Sequence, residues 1–254
     1  VDFSYPKLDS SEIFLPAAIS TRVEEFITNV QRYDEFVKAD AALPSRMLVY
    51  GKPGTGKTML SKYIATRLDF PLLTVRCDTL ISSLLGQTSK NLRQVFDYVM
   101  QRPSVLFLDE FDALAGARGN ERDIGELQRV VISLLQNMDA ASEDTVIIAS
   151  TNHEQLLDPA IWRRFSFRIP MPLPDIHQRE LIWKNRLKNM ICSDLDLSDL
   201  SRKSEGLSGA IIEQVSLDAR RDAVIEGASV INHHKLYRRL YLAQSLMEGV
   251  NSVS

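Results

Sequence analysis

A glycine-rich stretch, LVYGKPGTGKT at residues 48–58, constrains the fold of this chain more than any other feature. The apolar run before it, 47–50, predicts a buried strand, and the apolar residues after Lys57 follow helical spacing. Glycines between a strand and a helix let backbone N–H groups wrap around an anion at the helix N-terminus, where the helix dipole also favours negative charge. The pattern G-x-x-x-x-G-K-[ST], which residues 51–58 match, therefore predicts a loop that binds the phosphates of a nucleotide.

Two side chains of this loop have specific predicted roles. Lys57 would reach the β- and γ-phosphates, and the Thr58 hydroxyl would hold Mg²⁺. Contacts to the nucleotide are also predicted for the remaining loop positions, which are Pro53, Gly54, Thr55, Gly56 and Met59. The alternative interpretation is a plain turn with a solvated lysine.

Strands and helices alternate along the chain after residue 45. The predicted strands lie at 47–50, 72–76, 104–108, 145–150 and 166–169, and the helices between them at about 57–69, 89–101 and 123–138. Strands separated by helices imply a parallel sheet with helices on both faces. We therefore predict an α/β fold whose ligand binds at the carboxyl ends of the strands, where the glycine-rich stretch also lies.

A proline-rich stretch, PMPLPD at residues 170–175, marks a change in composition and indicates a stiff, extended connection. Beyond it the pattern predicts only helices, at about 175–190, 197–204, 208–227 and 231–247. We predict a large α/β domain over 1–172 and a small helical domain over 173–254. Upstream of the glycines, the pattern predicts a helix over 20–38 and extended or irregular chain over 4–16.

Acidic residues follow a second buried strand in SVLFLDEFD, residues 104–112. Asp109 at the strand end would lie near Thr58 and bind the same Mg²⁺, directly or through water. Glu110 would orient or deprotonate a water aimed at the γ-phosphate. The alternative is a solvated strand end.

Two further polar features carry weaker signals. Asn152 ends the strand TVIIASTN and is a candidate to hydrogen-bond the attacking water or the γ-phosphate, although an asparagine there is more often a turn residue. Arg163 and Arg164 follow a short predicted helix. A guanidinium can neutralise transition-state charge on a γ-phosphate, but the residues alone favour a surface pair that binds acids.

Composition narrows the class of protein. The 254 residues carry a formal charge of −3 with acids and bases mixed, which argues against a dedicated nucleic-acid surface. The two cysteines, Cys77 and Cys192, lack metal-ligand spacing and indicate reduced thiols in a reducing, cytoplasmic compartment. No apolar run is long enough for a membrane span, and no signal peptide is evident. Since the chain begins at Val1, whether an N-terminal part is missing, and what such a part would recruit, are open questions.

The order of these motifs resembles the AAA ATPases of the AAA+ superfamily, and within them the katanin- and spastin-type single-ring remodelers. The similarity extends over about 19–249. Six stretches carry it. GKPGTGKT (51–58) resembles Walker A, VLFLDEFDAL (105–114) Walker B, and NERDIGELQRVVISLLQNMD (120–139) the helix after the second pore loop. IIASTN (147–152) resembles the sensor-1 strand, LLDPAIWRRFSFRIPMPLPD (156–175) the second region of homology, and GLSGAIIEQV (206–215) the start of the lid helix.

This resemblance implies a P-loop NTPase sheet sandwiched by helices and followed by a helical lid. It further implies an ATPase that uses Mg²⁺ within a homo-oligomeric ring, usually a hexamer, to remodel or unfold a protein partner. Arg163 and Arg164 would then act as arginine fingers in a neighbouring subunit's site. The adenine would lie near Ile13, Gly209 and Ala210.

The first pore loop departs from the family pattern. In SSLLGQTSKN, residues 82–91, Leu84 stands where the family has an aromatic residue. A leucine offers less contact area than an aromatic ring, so polypeptide threading stays open, as does the protein substrate.

Other classes of protein share part of this pattern. A P-loop kinase would need an acceptor pocket but no arginine supplied in trans. A nucleic-acid motor would be stimulated by DNA or RNA with steep salt dependence. A non-hydrolysing switch or scaffold is disfavoured, because such a site would normally have lost at least one of these polar residues.

Overall fold

The computed structural model describes residues 1–9, 12–82, 85–114, 121–190 and 195–251. Contacts divide the chain into two compact units. The first, here called the sheet unit, comprises Val1–Ile13, Ala17–Lys52 and Lys57–Met171. The second, the helical unit, comprises Phe14–Pro16, Pro53–Gly56 and Pro172–Ser254. The tip of the glycine-rich loop thus groups with the helical unit, and the predicted domain boundary at residue 172 stays a prediction.

The sheet unit contains six strands, which are β1 (Asp2–Ser4), β2 (Arg46–Tyr50), β3 (Leu72–Arg76), β4 (Val105–Asp109), β5 (Val146–Thr151) and β6 (Phe167–Pro170). Their order in the sheet is β1-β3-β4-β5-β2-β6. All neighbours pair in parallel except β1, which is antiparallel to β3. The predicted α/β fold with a parallel sheet is therefore confirmed.

Seven helices belong to the described part of this unit. They are α1 (Ala17–Gln31), α2 (Tyr33–Lys38), α3 (Lys57–Leu68), α4 (Cys77–Ser82), α5 (Leu85–Gln101), α6 (Glu121–Ala140) and α7 (Pro159–Trp162). Consecutive residues of the central strands are buried, and consecutive side chains point to opposite sides of the sheet. Both faces of the sheet are therefore covered there. Leu106 and Leu108 of β4 pack in one cluster with Phe96 of α5 and Leu134 of α6.

Two features near the N-terminus differ from the prediction. The helix expected over 20–38 is broken at Arg32, whose dihedral angles (φ −116°, ψ 26°) are not helical. Tyr33 then donates its hydroxyl to Glu143 at 3.1 Å, a contact 110 residues away that helix periodicity does not encode. The short strand β1 was also not predicted, because its hydrogen-bond partners lie on β3.

The helical unit contains α8 (Ile176–Leu187), α9 (Leu197–Lys203), α10 (Gly209–Ile225) and α11 (His233–Asn251). These four helices agree with the predicted positions. Trp183 is fully buried, and its indole N–H donates to Ser204 Oγ at 3.0 Å. Around it pack Leu200, Ile212 and Leu236, which give this unit a core of its own.

Candidate functional site

The glycine-rich loop leaves β2 through a position that only glycine can occupy. Gly51 has a φ of +143°, and a Cβ there would lie 2.2 Å from the carbonyl oxygen of Met171. The Met171 N–H in turn donates to the Tyr50 carbonyl at 2.7 Å. The end of β2 is thus pressed against the backbone that follows β6, which fixes where the loop begins.

Lys57 opens α3, and its side chain is buried against the loop. Its Nζ donates to the carbonyl oxygens of Gly51 at 2.7 Å and Lys52 at 2.9 Å. Burial lowers the pKa of this ammonium, and the nearby charges of Asp109 and Asp112 oppose that shift. An ammonium held over a loop by neutral carbonyls can bind the stronger acceptor that a phosphate offers.

Thr58 lies beside the acid at the end of β4, as predicted. Its Oγ1 is 3.4 Å from Asp109 Oδ2. The other carboxylate oxygen, Oδ1, accepts from the Ser150 hydroxyl and from the Glu110 N–H, the latter at 3.1 Å. A hydroxyl and a fixed carboxylate are the hard oxygen donors that Mg²⁺ prefers, so these residues fit that ion.

Ser150 was missed by sequence reasoning, although it precedes the strand end in IIASTN. It holds the Asp109 carboxylate from the neighbouring strand, because β4 and β5 pair in parallel. Such partners orient a metal ligand without touching the metal.

Glu110 follows the strand in a left-handed backbone conformation, with φ at 55°. Such a conformation is uncommon for a residue with a side chain and costs on the order of 1–2 kcal/mol. Burial and the charge of Asp78 raise the pKa of the Glu110 carboxyl, while the charge of Arg76 opposes this. A carboxylate whose pKa is raised, at a strand end and on a strained backbone, is suited to accept a proton.

Arg76 and Asp78 were also missed by sequence reasoning. Arg76 ends β3 and stands in register with Asp109 on β4. Its Nη2 is 2.8 Å from Asp78 Oδ2 and 3.5 Å from Glu110 Oε2. An arginine at the end of a predicted strand next to the acidic strand was the available signal.

Asn152 lies one residue beyond β5, at the same edge of the sheet. Its backbone N–H donates to Asp112 Oδ1 at 3.2 Å. The Asn152 carboxamide makes no hydrogen bond within the described ranges. Since Thr151 stands in register with Tyr50, the ends of β5 and β2 adjoin, and the carboxamide lies at the loop's edge of the sheet.

Arg163 and Arg164 differ in their surroundings. Arg164 binds Asp139 through two hydrogen bonds, Nε at 2.8 Å and Nη2 at 2.7 Å, and Nη1 donates to the Ala160 carbonyl at 3.0 Å. Arg163 is exposed, and its side chain makes no hydrogen bond or ion pair with any residue in the described part of the chain. Of the two adjacent arginine side chains, Arg164 is therefore paired with an acid, and Arg163 extends into solvent.

The partner of Arg164 lies near the start of β2. Asp139 is in the last turn of α6, and Ala141, just beyond that helix, accepts a hydrogen bond from the side chain of Arg46, the first residue of β2, at 3.3 Å. The glycine-rich loop leaves the other end of that five-residue strand, which at about 3.3 Å per residue lies roughly 13 Å away. Arg164 is thus held near the start of β2, whereas the ring of Trp162, the residue before Arg163, packs 5.3 Å from that of Tyr50 at the loop end of the strand.

Within the helical unit, the loop tip contacts the start of α10. The Ala210 N–H donates to the Gly54 carbonyl at 3.1 Å, and a Cβ built on Gly209 would lie 3.7 Å from that same oxygen. Ile13, also predicted near the adenine, is half-buried and directly precedes Phe14, whose carbonyl accepts from Gln178 Nε2 at 3.0 Å. The predicted pore-loop residue Leu84 lies outside the described residues.

Other site types find no support in the described ranges. No group of three or more His, Cys, Asp or Glu side chains there has an arrangement for holding a metal. None of the helices there has the length and apolarity to cross a membrane. A groove of about 570 Å³ opens at the amino-terminal edge of the sheet, lined in part by Arg32, Phe70, Arg102 and Asp144. It is separate from the loop and acids described above.

Comparison with known proteins identifies relatives. Residues 47–173 match the family described as ATPase family associated with various cellular activities (AAA). An uncharacterized AAA family ATPase of Sinorhizobium fredii is 36% identical over 235 residues, which cover 92% of this chain and 71% of that protein.

Two archaeal proteins are similarly related. A proteasome-activating nucleotidase of Methanopyrus kandleri is 34% identical over 77% of this chain and 47% of its own length. A cell division cycle protein 48 homolog of Archaeoglobus fulgidus is 37% identical over 77% of this chain and 28% of its own length. The chain thus spans less than half of these two relatives.

Proposed function

This chain belongs to the AAA family of ATPases, and we propose that it hydrolyses Mg·ATP within a ring of identical chains to remodel a protein partner. The observation that carries the proposal is the set of polar groups at one edge of the sheet. Lys57, Thr58, Asp109 and Glu110 come together there from α3 and the end of β4.

Each residue has a role that follows from its chemistry. Lys57 and the loop N–H groups would bind the β- and γ-phosphates, and Thr58 and Asp109 would hold Mg²⁺. When bound, the ion neutralises charge on these phosphates. Glu110 would take the proton of the attacking water, and Asn152 would orient that water.

A ring is supported by the location of the arginine pair. Arg164 is held by Asp139 near the start of β2, the end opposite the loop, and is not directed at a phosphate bound by the same chain. Arg163 and Arg164 would therefore stabilise transition-state charge in a neighbouring subunit, as arginine fingers supplied in trans. A head-to-tail contact generates a ring when its rotation closes, and a closed ring of six subunits is the assembly we propose.

The protein partner is proposed from the relatives. One is named a proteasome-activating nucleotidase and another a cell division cycle protein 48 homolog. These names support action on proteins rather than on nucleic acid. The finer resemblance to katanin- and spastin-type remodelers stays a prediction, as does a cytoplasmic location, for which the buried free thiol of Cys77 is one support.

The first test is the Glu110→Gln variant. It removes the base but keeps the loop, so we expect ATP binding to persist and turnover to fall by ~10²–10⁴-fold. Calorimetric titration with ATP and Mg²⁺ measures binding, and phosphate release measures turnover. Turnover at the wild-type rate would show that Glu110 is not the base. This variant, held in ATP, should also retain its protein partner in a pulldown.

A mixing experiment separates a ring ATPase from a kinase or a motor that acts as a monomer. The Arg163→Ala/Arg164→Ala double variant keeps its loop, whereas Lys57→Ala keeps its arginines. If the arginines act in trans, mixed rings should recover part of the activity that each variant lacks alone. No recovery, in mixtures whose mass shows co-assembly, would place the arginines in cis. Stimulation of turnover by DNA or RNA would favour the motor instead.

A further inference from the structure

The tip of the glycine-rich loop is seated on the first turn of α10. The carbonyl of Gly54 accepts a hydrogen bond from the Ala210 N–H at 3.1 Å. Gly54 has a φ of +76°, and a Cβ at this position would lie 2.6 Å from Ser208 Oγ and 3.0 Å from the Cβ of Ala210. The absence of a side chain at Gly54 is what permits this contact.

The hydrogen bond uses a donor that the helix itself leaves unpaired. N–H groups in the first turn of a helix have no acceptor within the helix. The N-cap Ser208 accepts from Ile211, which leaves the second N–H of α10, that of Ala210, for the loop. His177 holds the equivalent second position of α8, and its N–H finds no acceptor in the described part of the chain.

We propose that Ser208 and Ala210 are positioning residues for the glycine-rich loop, which they hold in place before nucleotide binds. The proposal rests on the proposed function in one respect, namely that this loop binds the phosphates. A loop that is ordered in advance loses less conformational freedom on binding, so its seat contributes to nucleotide affinity.

The seat acts on the loop tip, residues 53–56, which groups with α10 in the helical unit. Because the Ala210 N–H donates to the loop, Ala210 contributes to nucleotide affinity by holding Gly54, in addition to any contact with the adenine. By linkage, a nucleotide that orders the loop must stabilise its contact with α10 to the same degree.

Amide hydrogen exchange of the nucleotide-free wild-type protein gives a direct test. We expect the Ala210 amide to exchange at least tenfold more slowly than the His177 amide, after correction for intrinsic rates. Equal corrected rates would overturn the proposal. This measurement needs no variant and no bound nucleotide.

Ala210→Pro removes the N–H and puts the ring Cδ where that hydrogen pointed, so the Gly54 carbonyl can no longer stay at 3.1 Å from this nitrogen. Proline is tolerated in the first turn of a helix, and the preceding Gly209 has no Cβ to clash with the proline ring. His177→Pro is the control for helix position, because it places proline at the same position of α8, where no loop is held. Ile176 before it has a Cβ, so any cost of the proline ring itself should be at least as large in the control as in Ala210→Pro. Thermal unfolding without nucleotide reports whether each variant folds.

The readout is the dissociation constant for ATP with Mg²⁺, together with the division of the effect between KM and kcat. Ala210→Pro should weaken binding by about tenfold or more and raise KM, while kcat at saturating ATP stays near the wild-type value. Wild-type affinity in a folded Ala210→Pro variant would overturn the proposal and leave the proposed function intact. If the wild-type protein bound no nucleotide, the proposed function would fail, and the exchange rates would still decide whether the loop is seated. If Ala210→Pro does not fold, the exchange rates of the wild-type protein still test the proposal.

A matched pair of glycines tests the side-chain part of the seat. Gly54→Ala and Gly206→Ala introduce the same substitution at φ angles of +76° and +79°, but at Gly206 nothing lies within 4 Å of the new Cβ. Backbone strain is therefore common to both variants. The proposal expects a loss of ATP affinity at Gly54 well beyond that at Gly206, and equal effects would contradict it.

Discussion

The guanidinium of Arg76 lies 3.5 Å from the carboxylate of Glu110, with Nη2 facing Oε2. Arg76 also holds Asp78 through two hydrogen bonds, so one cation serves two acids. The proposed base is thus paired with an arginine at the end of the neighbouring strand. Its proton affinity depends on residues that sequence reasoning did not select.

The first prediction concerns pH and this pair. Arg76 opposes the upward shift of the Glu110 pKa, so Arg76→Gln should raise that pKa further. Because the base acts when deprotonated, the acid side of the pH profile of kcat/KM should move to higher pH. Asp78→Asn removes a charge that raises the pKa and should move the profile to lower pH. Shifts of the same sign in both variants would contradict the assigned electrostatics.

The second prediction concerns the residue that holds Asp109. Ser150→Ala removes the hydroxyl that donates to Asp109 Oδ1, so the carboxylate should be less well oriented for Mg²⁺. We expect the Mg²⁺ concentration for half-maximal ATPase activity to rise by ~10–100-fold. Ser104→Ala is the control, because Ser104 is also a buried serine but precedes β4 and donates to the Arg102 carbonyl. An equal effect of both substitutions would indicate a general loss of stability.

The third prediction concerns the stability that Arg164 and Asp139 confer. The hydrogen bonds and charge of Arg164 lower the pKa of Asp139 in the folded state. A carboxyl with a lowered folded pKa stabilises the fold above its unfolded pKa of about 3.9, and this is lost as pH falls through the folded value. Wild type should therefore exceed Asp139→Asn in unfolding free energy at pH 7, by about 1 kcal/mol or less because Asp139 is half exposed.

The pH dependence provides the check on that pair. In urea unfolding, the difference between wild type and Asp139→Asn should shrink below pH 4 and disappear at still lower pH. Arg163→Ala is the matched control, since Arg163 has no partner in the described ranges, and its stability should equal that of wild type at every pH. A difference that persists at pH 2 would argue that the aspartate acts through packing.

The fourth prediction concerns the exit from β2. Gly51→Ala would place a Cβ 2.2 Å from the Met171 carbonyl oxygen, so the backbone at the strand end must shift. Gly227→Ala, at a φ of +68° with nothing within 4 Å of the new Cβ, should cost only on the order of 1–2 kcal/mol. Urea midpoints should show a clearly larger loss for Gly51→Ala. A loss no greater than that of Gly227→Ala would show that Met171 yields without cost.

Local patterns identified much of the site. The spacing of glycines, lysine and threonine in residues 51–58, and the acids that end an apolar run at Asp109 and Glu110, come from short segments with strict chemical requirements. Periodicity likewise predicted the strands β2 to β6 and most of the helices, because alternation and helical spacing are properties of neighbouring residues. It missed the short helix α4 and the break between α1 and α2. Family membership followed from the order of these segments.

The sequence by itself therefore determined the fold class and predicted which residues form the candidate site at one edge of the sheet. Only the tertiary structure decided which groups hold that chemistry in place. Arg76 reaches Glu110, Asp139 engages Arg164, and Ala210 holds Gly54 across 34, 25 and 156 residues of chain, respectively. The reason is physical: a hydrogen bond or an ion pair depends on distance in space, and strand order and helix packing set that distance without leaving a periodic trace in the sequence.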